Sequence, residues 1–150
     1  MTAIIQKYSQ LLHAAIALVT ALCLACPAAR AELVVVVSAR SAATALSAEQ
    51  ASDIFLGRIT YLPGAGSVAP LDQREGVAAR EAFYRKITGK NAIELKAYWS
   101  RQVFAGKGRP PKNAVNDAGV KTMVAANMAL IGYIDKSALD ASVKPLLTVK

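Results

Sequence analysis

Beyond residue 31 this 150-residue sequence has no cysteine and no histidine, because Cys23, Cys26 and His13 all precede that point. Residues 32–150 therefore hold no disulfide, no Cys/His zinc centre and no nucleophile–base pair built on cysteine or histidine. Acidic side chains are scarce, 10 against 18 lysines and arginines, and there is a single tryptophan, Trp99. No apolar run reaches the roughly 20 residues that a transmembrane helix needs. Internal repeats and low-complexity segments are absent too. The positive balance favours anionic ligands or surfaces, while acidic residues interspersed among the basic ones argue against a nucleic-acid-binding face.

What is present begins with a leader. Lys7 precedes an apolar run from Ala14 to Ala25, followed by Pro27 and the small-residue tripeptide Ala29-Arg30-Ala31. This order reads as a signal peptide cleaved after Ala31, which predicts export to the periplasm. Leu24-Ala25-Cys26 hints at a lipid anchor, but Cys23 stands where an aliphatic residue is usual, so plain cleavage is preferred. Removing Lys7 and Arg30 from the 18 basic residues leaves 16 against 10 acidic, a net charge of +6 on residues 32–150. A chain of that length makes one small domain held by a hydrophobic core.

The β-branched run Leu33-Val34-Val35-Val36-Val37 lacks alternation and predicts a strand buried on both faces, as in a parallel sheet covered by helices. Ser47 with Gln50 forms a capping box that opens a helix through Ile54 and Phe55, with Gly57 as its stop. A short strand ends at Leu71, and a helix is expected from Glu75 to Ile87, with Arg80, Glu81 and Arg85 mostly outside its apolar face. Asn91 and Glu94 repeat the capping box before Leu95, Tyr98, Trp99 and Val103, where Trp99 reads as core. A basic Gly/Pro loop covers Phe104 to Lys112. Asn116 or Asp117 caps a further helix that Asn127 closes, and strands follow at 130–134 and 143–149, the last marked as an edge by Pro145. Alternating strands and helices give an α/β class.

The stretch Leu71 to Tyr84 carries the chemistry. It reads as a strand end, a glycine turn and a helix start in succession, and the unpaired N–H groups and dipole of a first helical turn can receive an anion. Arg74, Gly76, Val77, Ala78, Ala79 and Arg80 are the candidate anion-binding residues. Ser38 and Arg40, in the connection after the first strand, and Lys107 and Arg109, in the basic loop, are accessory candidates. Gly64-Ala65-Gly66-Ser67-Val68-Ala69 precedes a strand instead of a helix, so it cannot act as a dinucleotide fingerprint.

Taken together, Leu46-Ser47 through Ile54-Phe55-Leu56-Gly57-Arg58, the glycine turn leading to Phe83, the pair Tyr98-Trp99 and the segment Val124 to Ile131-Gly132-Tyr133-Ile134 resemble the substrate-binding proteins of phosphate ABC transporters. The resemblance implies a type 2 periplasmic-binding-protein-like domain, a small mixed sheet flanked by helices, and a likeness to the second of that family's two lobes. It also implies phosphate or a similar oxyanion as ligand, no cofactor and no enzymatic activity. That family carries an Asp-Gly-Ser-Gly-Thr type turn with an arginine shortly before it. Here Glu75-Gly76-Val77-Ala78-Ala79 occupies the turn and Gln73 stands near the arginine's place. Backbone donors are kept and hydroxyl donors are not, which predicts weak binding, since each donor to a charged group is worth about 1.5–3 kcal/mol.

Two further readings stay open beside the binding module. One is a ligand-free interaction module that docks a transporter component, a sensor or a second copy of the chain through the former cleft, as exposed apolar patches often do. The other is an enzyme. Glu75 and Glu81 are six residues apart, off one another's helical face, and no motif marks a serine–lysine pair.

Overall fold

A computed structural model describes residues 32–150, and the predicted leader lies outside the described residues. In chain order the elements are β1 (Leu33–Ser38), α1 (Ala48–Phe55), β2 (Tyr61–Leu62), β3 (Gly66–Ser67), β4 (Ala69–Gln73), α2 (Ala78–Thr88), α3 (Ala92–Phe104), β5 (Lys112–Ala114), α4 (Asp117–Ala126), β6 (Leu130–Asp135), a 3-10 turn (Lys136–Ala138) and β7 (Val143–Val149). Strands β2 and β3 make a small hairpin. The remaining five form one mixed sheet in the order β5-β4-β6-β1-β7.

Strand β1 is buried along its whole length, and its side chains divide by parity. Leu33, Val35 and Val37 join a core with Ile54, Phe55, Phe83, Tyr84, Leu95 and Trp99, contributed by α1, α2 and α3. Val34 and Val36 face a smaller core with Leu71, Val120, Val124 and Ile134, under α4. A strand covered on both faces needs apolar residues at every position, and that requirement explains the unalternating run. The expected parallel setting is corrected: β1 is antiparallel to both neighbours, pairing Leu33 with Asp135 and Val37 with Ile131 on β6, and Leu33 with Val149 on β7. Parallel pairing is confined to β4 with β5 and β6. Strand β7 is an edge, and Pro145 sits in it where the register with β1 shifts.

Both capping boxes form, Ser47 with Gln50 and Asn91 with Glu94, each exchanging side-chain and backbone bonds. The helix expected from Glu75 begins instead at Ala78. Gly76 adopts φ 84°, a left-handed turn conformation that a helix cannot contain, so the chain enters the helix only after it. Close packing of α4 on the sheet depends on Gly132 of β6, where an added Cβ would stand 2.5 Å from Val120 Cγ1. The short strand β5 falls at the end of what the sequence presents as loop.

Candidate anion-binding site

The site is built at the carboxyl end of β4. Asp72, 1% exposed, is the buried carboxylate there, and four donors meet it. Oδ1 accepts from the Tyr133 hydroxyl at 2.6 Å and from the Gln73 backbone N–H at 2.8 Å. Oδ2 accepts from Arg80 Nε at 2.9 Å and from the Tyr84 hydroxyl at 3.1 Å. A buried carboxylate is tolerated when paired and fully hydrogen-bonded, and this one is. Burial, reinforced by the adjacent Asp72 charge, raises the Tyr84 and Tyr133 hydroxyls far above the ordinary phenol range. Burial works against the Arg80 charge, but Asp72 more than offsets it and holds the guanidinium above its usual value.

Phe83 stacks on Tyr133 with ring centroids 3.8 Å apart, and Phe55 meets Phe83 edge-on at 4.7 Å. Arg80 also lies over the Tyr84 ring, 5.2 Å from its centroid. This aromatic packing keeps water from the Asp72 network and fixes the first turn of α2 against the end of β4. The reading that placed Arg80 outside the packed face is therefore corrected. Its Nε is committed to Asp72, although its Nη groups make no hydrogen bond among the described residues.

Beyond this network the chain turns through Arg74, Glu75 and Gly76, where the Val77 N–H donates to the Arg74 carbonyl. Val77 is the N-cap of α2 and offers no side-chain acceptor. By contrast, Ser47, Asn91 and Asn116 each cap their own helices, α1, α3 and α4. The Ala78, Ala79 and Arg80 N–H groups are left for water or a ligand, at the positive end of the helix.

Beside that helix end is a shallow, open depression of about 490 Å³ between the starts of α2 and α4, bordered by Gln73, Val77, Ala79, Asn116, Asp117 and Lys121. Gln73 Nε2 donates to Asp117 Oδ1 at 2.6 Å and to the Tyr133 carbonyl at 3.3 Å, while Asp117 Oδ2 accepts from the Asp135 N–H at 3.1 Å. Lys121 is drawn to Asp140 at 2.6 Å. The depression thus combines helix-terminus donors with one negative side chain, a balance suited to weak anion binding.

Arg74, Gly76, Val77, Ala78, Ala79 and Arg80 run through the turn into the first residues of α2, and of the six only Val77 and Ala79 border the depression. Ser38 and Arg40 lie elsewhere. Ser38 ends β1 beside the start of β6, and Arg40, in the turn that follows, donates from Nη2 to the Ala125 and Ala126 carbonyls at the C-terminus of α4. Lys107 and Arg109 line a separate cavity. Asp72 and Tyr84 lie within the stretch singled out from sequence, Tyr133 within the Ile-Gly-Tyr element and Asp117 at a helix start, but no local signal joins them into one network. Their meeting depends on contacts up to 61 residues apart.

No protein-family model matches this chain, and no curated protein matches it. Solved structures do. One, described as a phosphate ABC transporter substrate-binding protein from Clostridium perfringens with bound phosphate, aligns with TM-score 0.62 at 22% identity, over 77% of this chain and 44% of that one. The fold is that of part of a periplasmic binding protein. An ABC-type phosphate transport receptor from Vibrio cholerae aligns with TM-score 0.60 at 22% identity, over 77% and 45%. PstS from Borrelia burgdorferi gives 0.58 at 14%, over 77% and 46%. The chain spans less than half the length of these substrate-binding proteins.

Proposed function

We propose that residues 32–150 form an exported, non-enzymatic solute-binding module that holds phosphate or a similar oxyanion weakly at the N-terminus of α2. Export follows cleavage of the leader after Ala31. The observation that carries the reading is the start of α2: alone among the four α-helices of the described residues it has no side-chain cap, and it opens on the depression beside β4. Ligands of open α/β sheets sit outside the carboxyl ends of parallel strands, and β4 ends here. The Ala78 and Ala79 N–H groups are the principal donors. Arg74 and the outer nitrogens of Arg80 add charge, and the Asp72–Arg80 pair keeps the turn in place. The fold shared with phosphate transport receptors supports the choice of oxyanion.

Asp117 favours a second reading. A carboxylate at the edge of the depression repels an ionised ligand, as expected if the fold has kept its face for a transporter component, a sensor or a second copy and has lost its solute. Thermal unfolding separates the two, using phosphate, sulfate, phosphonate and chloride at matched ionic strength. A ligand at 100 times its dissociation constant stabilises by about 2.7 kcal/mol, several degrees for a domain of this size. A phosphate-selective rise that Ala78→Pro removes supports the binding module, because proline at the first helical position deletes one donor while fitting the helix. Equal midpoints in every anion, with self-association of the chain, support the docking module.

A further inference from the structure

We propose a second ligand site, for a small amphipathic carboxylate, in the cavity between the C-terminal end of α3, the loop that follows it and the starts of β4, β5 and β6. This cavity has a volume of about 630 Å³, within the range of small-molecule sites. Leu56, Val68, Leu71, Trp99, Met123 and Leu130 give it apolar walls. Lys107, Arg109 and Lys112 also line it, and among the described residues no aspartate or glutamate does. None of these three cations makes a hydrogen bond or ion pair with a described side chain; Arg74, Arg85, Lys96 and Arg101 share that state, but none of them lines the cavity.

Apolar walls and unpaired positive charge select two halves of one ligand. A hydrocarbon body removes the walls from water, and an anionic head meets the lysine and arginine side chains. Inorganic phosphate satisfies the second requirement only, and an uncharged alcohol satisfies the first only. Pro110 and Pro111 restrict the backbone of the loop between Arg109 and Lys112, which keeps the cations near the cavity. The Trp99 ring lines the cavity, while its Nε1–H is buried and has no hydrogen-bond partner among the described residues. The site is distinct from the start of α2. Its strand residues come from the beginnings of the parallel strands, and α2 begins at the other end of β4.

Trp99 is the only tryptophan of the chain and lines the cavity, so its fluorescence reports occupancy directly. Residues 32–150, which contain both core clusters, are titrated with decanoate below its micelle-forming concentration, in parallel with decanol and inorganic phosphate. The expected result is a saturable, one-to-one change with decanoate and a weak or absent change with the other two. Lys107→Ala and Arg109→Ala, at exposed positions, should each weaken decanoate binding about tenfold. Met123→Glu, partly exposed on α4, should weaken it at least as much by placing a carboxylate in the wall, with circular dichroism confirming that each variant is folded. No saturable change with decanoate overturns the proposal. So does equal binding of decanol, which would mean an apolar pocket without head-group recognition, or an equal response to phosphate alone, which would mean a simple cation cluster.

Discussion

Asp72 shows how much of this protein hangs on one side chain. Its two oxygens serve four donors, three side chains from α2 and β6 and the adjoining Gln73 backbone N–H, so replacing it leaves Arg80 and two tyrosine hydroxyls without their shared acceptor. Breaking a buried ion pair from one side costs about 3 kcal/mol or more, and Asp72→Ala should lower the denaturation free energy by that amount in a urea titration. The tyrosines give a pH signature. Their folded pKa values are raised by burial and then by Asp72, so both hydroxyls stay protonated in the native state while the unfolded chain loses those protons near pH 10. Their contribution to stability is complete below that pH and falls as pH rises above it. Each tyrosine should add a decline of about 1.4 kcal/mol per pH unit. Tyr84→Phe, although less stable at neutral pH, should show an alkaline slope shallower by that amount when urea titrations are compared across pH.

At the scale of elements, what the sequence discloses follows the range of the forces involved. The Ser47–Gln50 and Asn91–Glu94 caps are legible because both partners lie within one helical turn, and Ser47→Ala should lower stability by about 1 kcal/mol in a urea titration. Burial of β1 is legible as well, since Leu33 to Val37 are all apolar. Its antiparallel pairing is not, because two-sided burial asks for the same residues whichever way the neighbours run. Pro145 marks the edge correctly through its missing N–H. The start of α2 is misplaced by three residues because helical periodicity carries through Glu75 and Gly76 while the φ of Gly76 does not. Gly132 is read as part of a motif, but its physical role is close approach. Gly132→Ala would force Cβ into Val120 and should cost about 1–3 kcal/mol, measured by the same titration. Of the proposed site, the turn from Arg74 to Arg80 is legible in sequence because its residues are contiguous. The long-range partners Asp72, Tyr133 and Asp117 are not, and Ser38 and Arg40 belong to the far end of the sheet.

The whole described chain is a mixed sheet with three helices against one core and a fourth against the other, and the two cores meet across β1. Such a layered arrangement leaves the carboxyl end of β4 as a platform instead of a closed chamber, and the neighbouring depression is correspondingly shallow. Solute receptors enclose most of their ligand, so a platform of this kind implies low affinity until something covers it. A covering partner would raise apparent affinity by excluding water from the same donors. The decisive measurement is an amide-resolved nuclear magnetic resonance titration of residues 32–150 with phosphate, using chloride at equal ionic strength as reference. The account predicts saturable shifts centred on the Gly76 to Arg80 amides, lost in Ala78→Pro while the fold persists. If phosphate moves no amide in that turn beyond what chloride does, up to about tens of millimolar, the α2 terminus is not an anion site and the solute-binding reading fails.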